Sequence, residues 1–325
     1  MFFLISSKAG SKQKIYFRFV DKTMLPEFAK RVNVQFMKAM PPYDRIAFAE
    51  RLRSSDTETS SAAFFMEGPV WENDLVAFRN YFDARNGMDI FGKKITRMVF
   101  DDTSMVHSDY HQMQDWGMDI LKVANSLGAG AIGMFLNNKP CRIDSAERST
   151  CRLVSYGPLR AVLQFVFDGW KAEGRNYTIL HQVSIWGGSP CYQSRVTISG
   201  LHGDEELLTG IVNLHSDSLM LEGLNEPVVI AATHDKQGFL GETLGMGILL
   251  NRSDYVDTIT APEEGEGINQ TYMLRIKLSE NVPVGFRFYS GWEYQDPDYA
   301  DRDKFLEMLR SEARIMASPI KIKGI

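Results

Sequence analysis

The run Asn176-Tyr177-Thr178-Ile179-Leu180-His181-Gln182-Val183-Ser184-Ile185-Trp186 leads through Gly187-Gly188-Ser189-Pro190 into Cys191-Tyr192-Gln193-Ser194-Arg195-Val196-Thr197-Ile198-Ser199. Tyr177, Ile179, His181, Val183 and Ile185 alternate with Thr178, Leu180, Gln182, Ser184 and Trp186. A period of two marks a strand, because successive side chains point to opposite faces. The Gly-Gly-Ser-Pro break turns the chain, and Val196 and Ile198 keep the alternation on the return. The stretch predicts a β-hairpin.

Similar runs follow outward from it: Leu159–Asp168, Leu207–Leu214, Pro227–Ala232, Gly247–Leu250, Gln270–Leu278 and Val284–Tyr289. Their apolar faces predict antiparallel sheets packed on sheets. No helical pattern recurs between them, so an alternating α/β order is not expected. Two peripheral helices are expected. Asp21–Met40 carries Leu25, Phe28, Ala29, Val32 and Phe36 at roughly helical spacing. Asp301–Met316 has Asp301 as a cap and a stripe of Phe305, Leu306, Leu309 and Ala313, with Pro319 beyond it. Ser54–Ser61 is polar and reads as an exposed loop. Neither a repeat nor a linker divides the chain, so residues 1–325 read as a single domain, least defined over 1–60.

Composition narrows the function. The 325 residues are 44% hydrophobic and 24% charged, with a formal net charge of -5. That is a globular balance, without the basic stripe of a nucleic-acid binder or a polybasic membrane segment. No apolar run approaches the ~20 residues that span a bilayer. Met1–Ile5 is apolar, but Lys8 and Lys12 follow it, the reverse of a secretion signal. Cys141, Cys151 and Cys191 form neither a disulfide framework nor a CxxC site. Unpaired thiols are the plainer reading, with a Cys141–Cys151 bridge as the alternative.

Two segments concentrate chemistry. Gly68–Tyr81, read as one strand, places Trp71, Asn73, Leu75, Ala77, Arg79 and Tyr81 on one face. Glu72, Asp74, Val76 and Phe78 then take the other. An arginine on a partly apolar face requires an anionic or carbonyl partner, and the plain structural reading is an Arg79–carboxylate pair. His107–Asp119 holds His107, Asp109, Tyr110, His111, Asp115, Trp116 and Asp119. Histidine and tyrosine move protons, and aromatic faces stack on sugar rings. His107, Asp109 and His111 alternate, but no familiar metal spacing is present. Neither a metal nor a cofactor is expected. His181 lies mid-strand on an apolar face, where a satisfied core histidine is the plainer reading.

Several of these residues carry a resemblance. Trp71-Glu72-Asn73-Asp74 through Ala77-Phe78-Arg79, Asp109-Tyr110-His111, Trp116-Gly117-Met118-Asp119, Lys122-Val123, Ser126–Gly130 and Tyr156-Gly157-Pro158-Leu159-Arg160 resemble an uncharacterised domain-of-unknown-function family. That family is common in polysaccharide-degrading bacteria and is itself similar to galactose-mutarotase-like supersandwich proteins. The resemblance covers the chain from about Ser60 onward. It implies a β supersandwich, a leader peptide in the full gene product, a periplasmic or extracellular location, and a role in glycan breakdown.

The first functional reading is a lyase or dehydratase acting on uronic-acid-containing oligosaccharides. Elimination beside a carboxylate needs a base, for which His111 is the candidate. It needs an acid for the leaving oxygen, Tyr110, and a cation on the substrate carboxylate, Arg79 or Arg160. Trp71 or Trp116 would stack on the sugar, and Glu72, Asp74, Tyr81, Asp115 and His181 complete the expected binding set. A mutarotase- or epimerase-like enzyme, using His111 or His181 with Glu72 or Asp74, is the alternative. A glycan-binding module without chemistry is the third reading.

Overall fold

The computed structural model describes residues 11–16, 19–56, 59–101, 105 and 108–320. Its strands are β1 Val32–Gln35, β2 Phe48–Leu52, β3 Val70–Asn73, β4 Val76–Asn80, β5 Met88–Lys93, β6 Gly117–Asp119, β7 Ala129–Leu136, β8 Lys139–Arg142, β9 Ala146–Tyr156 and β10 Arg160–Ala172. They continue with β11 Arg175–Trp186, β12 Cys191–Ser199, β13 Glu206–Val212, β14 Met220–Glu222, β15 Val228–Asp235, β16 Leu244–Asn251, β17 Tyr255–Thr260, β18 Thr271–Lys277 and β19 Val284–Trp292. Among the described residues one α-helix, α1 Arg302–Ala317, follows, and short 3-10 turns make up the rest of the helical structure.

The strands form three antiparallel sheets. The largest has nine strands in the order β14-β15-β16-β19-β12-β11-β10-β9-β2. The decisive hairpin lies at its centre, with Ile179 opposite Ile198 and Val183 opposite Ser194. Two five-stranded sheets, β1-β3-β4-β5-β6 and β17-β18-β13-β7-β8, pack on one face of it. Trp71 and Phe78 of the first meet Tyr192 of the large sheet at 5.7 and 4.9 Å between ring centres. The Tyr192 hydroxyl donates to the Ala129 carbonyl at the start of β7 at 2.6 Å. A bridge from Met88 to Gly128 joins the two smaller sheets. One apolar cluster draws on all three sheets. The fold is therefore a mainly β, supersandwich-like arrangement.

On the opposite face of the large sheet, α1 covers β15 and β16. Asp301 accepts from the Asp303 and Lys304 amides and so caps the helix. Phe305, Leu306 and Leu309 point down onto Val228, Ile230 and Leu249. A Cβ on Gly245 would lie 2.6 Å from the Phe305 ring, so a bare backbone there lets the helix approach.

Three expectations fail. Asp21–Met40 is not a helix: it holds only the 3-10 turn Lys22–Met24 and then β1. Pro26 removes an amide, and Val32-Asn33-Val34-Gln35 is β-branched at alternate positions, which favours the sheet edge beside β3. Gly68–Tyr81 is a hairpin, not one strand. Asn73 Oδ1 accepts from the amides of Leu75 and Val76 at 2.8 and 2.9 Å and reverses the chain. The Ser54–Ser61 loop is exposed only in part, because Ser60 is buried on the Asp83 carboxylate. The three cysteines are free thiols.

Candidate functional site

The Asn73 reversal decides which side chains share a face. Trp71 pairs with Phe78 and points into the sandwich, while Val70 pairs with Arg79 on the outer side. Arg79 in turn faces Asp89 of β5, and Phe91 of β5 faces Asp119 of β6. The outer face of this small sheet thereby collects the Arg79 guanidinium, the Asp89 and Asp119 carboxylates and the Glu72–Lys93 ion pair beside an apolar patch of Phe91, Phe100 and Trp116.

The polar group is closely bonded. Arg79 Nη2 donates to Asp89, to Asp119 Oδ2 at 3.0 Å and to the Tyr81 hydroxyl at 2.8 Å. Tyr81 donates to Asp89 Oδ2 at 2.7 Å. Arg79 is 2% exposed. Burial alone would lower its pKa, but Tyr81, Asp89 and Asp119 raise it further and keep it charged. Burial, then the neighbouring Asp89 charge, pushes the Asp119 carboxyl well above the usual carboxylate range, against the pull of Arg79. Burial also raises Tyr81 and Tyr110, so both phenols keep their protons at neutral pH.

Above this floor stands the segment with Tyr110 and His111. The Asp119 amide donates to the Tyr110 carbonyl at 2.8 Å and ties the segment to β6. Gly117 has φ +134, and a Cβ there would lie 1.8 Å from the Gly92 carbonyl oxygen, so only glycine permits this turn. The Asp109 carboxylate accepts from the His111 amide at 3.3 Å and holds the turn. The Tyr110 ring sits edge-on to Phe91 at 5.8 Å, and His111 lies against Tyr110 at 4.4 Å. The His111 side chain is 53% exposed, with Nε2 3.9 Å from Asp119 Oδ2 and Nδ1 3.8 Å from Asp109 Oδ1. Phe239, half exposed, borders it at 6.3 Å, brought there by its amide donating to the Ile120 carbonyl at 2.9 Å.

The structure thus unites Arg79, Tyr81, Tyr110 and His111, with Asp115 exposed nearby in sequence. It separates the others. Trp71 is core, and Trp116 is buried against Phe100, so neither presents a face to a sugar. Glu72 is fully buried, paired with Lys93 at 2.8 Å and accepting from the Val99 and Phe100 amides. Asp74 pairs with Arg31 at 2.5 Å and accepts from the Gly188 amide. His181 is buried on Ser194 Oγ at 2.8 Å, and burial lowers its pKa to about 3, so it is a neutral core residue. Arg160 lies on the large sheet, over Trp186. His107 falls outside the described residues. Among the described residues no three His, Cys, Asp or Glu side chains are grouped to hold a metal.

Sequence reasoning missed Asp89 and Phe239, and it named Asp119 within the His107–Asp119 segment without giving it a role. Asp89 gave a signal: it is a lone carboxylate between Met88 and Ile90-Phe91 in an apolar run. Phe239 gave none, because a loop from the far end of the chain delivers it.

The chain matches, over residues 1–322, the family described as Domain of unknown function (DUF4861), and it belongs to that family. No curated protein matches it. Among solved structures it is similar to the GH36 alpha-galactosidase AgaB from Geobacillus stearothermophilus, at 7% identity and a TM-score of 0.27. That match covers 68% of this chain and 40% of the alpha-galactosidase. Among the described residues no helix is long and apolar enough to cross a membrane.

Proposed function

We propose that this member of the DUF4861 family acts on carbohydrate at the His111 edge of its first small sheet, as a lyase or dehydratase of uronate-containing oligosaccharides. One observation carries the reading. A half-exposed imidazole is fixed against a protonated phenol, over a buried carboxylate and guanidinium, with an exposed aromatic ring alongside. His111 is the base that takes the proton beside the uronate carboxylate, and Tyr110 supplies a proton to the leaving oxygen. Phe239 takes the stacking role expected of Trp71 or Trp116. Arg79 does not meet the substrate, since Asp89 meets its charge and Tyr81 and Asp119 take its remaining donor capacity; it positions Tyr81 and Asp119. The cation for the substrate carboxylate must come from the rim, where Lys122 is exposed three residues beyond Asp119. A periplasmic or extracellular location fits such a substrate.

The mutarotase- or epimerase-like alternative keeps one supporting observation, the closeness of His111 Nε2 to Asp119 Oδ2, where Glu72 and Asp74 are already engaged by Lys93 and Arg31. Elimination creates a conjugated double bond that absorbs in the ultraviolet; epimerisation changes optical rotation without a chromophore. Incubation of the chain with a panel of uronate oligosaccharides separates the two. On the lyase reading His111→Ala lowers turnover by about 10²–10⁴-fold with the fold intact. Phe239→Ala raises KM more than it lowers kcat. Retained turnover in His111→Ala, with only the melting temperature reduced, would reduce His111 to a loop anchor.

A further inference from the structure

Among the described residues, α1 covers only part of the outer face of the nine-stranded sheet. α1 lies over β15 and β16. Beside it, β19, β12, β11 and β10 form a shallow groove of about 360 Å³. The register places Gln182 opposite Arg195, Ser184 opposite Gln193, and Gln193 opposite Arg287. At the β10 side Arg160 Nη2 donates to Ser184 Oγ at 3.3 Å, and its guanidinium lies 4.8 Å from the centre of the half-buried Trp186 ring. Three guanidinium groups and two primary amides thus share one face across three strand spacings, about 14 Å.

The sign of this patch opposes that of the chain, whose formal net charge is -5. Arg287 has Glu312 at 3.7 Å, and Arg195 is exposed and makes no ion pair among the described residues. Guanidinium groups take carboxylate or sulfate oxygens through paired N–H donors. Amide side chains donate and accept at once, which matches sugar hydroxyls. The Trp186 ring carries the Arg160 guanidinium at the end of the row.

We propose that this groove is a second, non-catalytic glycan site, which holds an anionic stretch of oligosaccharide through its carboxylate or sulfate groups. The proposal rests on the carbohydrate reading above but uses none of the His111 cluster, which lies on the other outer side of the sandwich.

Calorimetry on the full chain carrying His111→Ala tests it. The probes are tetragalacturonate for carboxylate, a sulfated galactan tetrasaccharide for sulfate, and cellotetraose as the neutral control. At least one anionic probe binds, more weakly as salt rises. Arg195→Gln alone, an exposed change that leaves the fold undisturbed, weakens binding several-fold, and Arg160→Gln with Arg195→Gln and Arg287→Gln weakens it at least tenfold. Which anionic probe binds assigns carboxylate or sulfate as the group recognised. No binding of either anionic probe, equal binding of cellotetraose, or binding indifferent to the arginine changes overturns the groove. Turnover by the parent is read separately. Groove binding without turnover sinks the His111 reading alone, and turnover without groove binding sinks this proposal alone.

Discussion

Asp119 lies 3.0 Å from the Arg79 guanidinium, and Asp89 takes the same Nη2. One cation cannot neutralise two buried carboxylates, so Asp119 holds a proton. Its folded pKa lies above the ordinary carboxylate value of about 3.9. Ionisation of the unfolded chain therefore costs stability once the pH rises past about 4, and the loss continues until the folded pKa is passed. Asp119→Asn removes that loss. Its denaturant midpoint, relative to the parent, is expected to climb as pH rises from 4 to 8; a constant difference would mean Asp119 is ionised in the fold. His181 behaves in the opposite sense. Its folded pKa of about 3 lies below the unfolded value of about 6.5. The stability it contributes is present above pH 6.5 and is lost as pH falls toward 3. His181→Gln is expected to be less stable than the parent at pH 7, with the gap closing by pH 4 in the same denaturation series.

Asn73 works at the scale of the element. Its side chain accepts from two amides and donates to the Trp186 and Ser189 carbonyls, both at 2.6 Å. It therefore closes the β3–β4 hairpin and clips it to the turn after β11. Asn73→Ala leaves buried backbone groups unpaired, and a loss of about 3 kcal/mol in urea unfolding is expected. A loss below about 1 kcal/mol would show that water replaces the amide. Gly245→Ala brings a methyl against Phe305 and should cost roughly 1–3 kcal/mol, measured the same way. These elements also show what a sequence discloses. The hairpin around Gly187-Gly188 and the capped helix α1 are legible because period and punctuation agree there. Residues 21–40 misled because Leu25, Phe28, Ala29 and Val32 mimic a helical stripe, while the pairing of β1 with β3 that overrides it is non-local. Trp71 and Arg79 seemed to share a face because the Asn73-Asp74 turn signal lay inside an otherwise continuous run. Arg79, Tyr81, Tyr110 and His111 were legible as chemistry, but Asp89 joins them only through strand register.

The whole molecule sets its two candidate sites back to back. The His111 edge looks out from a small sheet and the arginine groove looks out from the large one, with the Trp71–Tyr192 core between them. Stacked sheets lie about 10 Å apart, and side chains on both outer faces add to that thickness. A tetrasaccharide cannot round the edge to reach both. Titration of the parent with a non-cleavable anionic tetrasaccharide is therefore expected to reach two per chain, falling to one when Arg160, Arg195 and Arg287 are changed to Gln. A single equivalent in the parent would remove one of the two sites. Long polymer presents a different case. If both proposed sites bind, the molecule is a cross-bridge: it would hold one strand while working on its neighbour, and in a gel of acidic polysaccharide it would stiffen the mesh before loosening it.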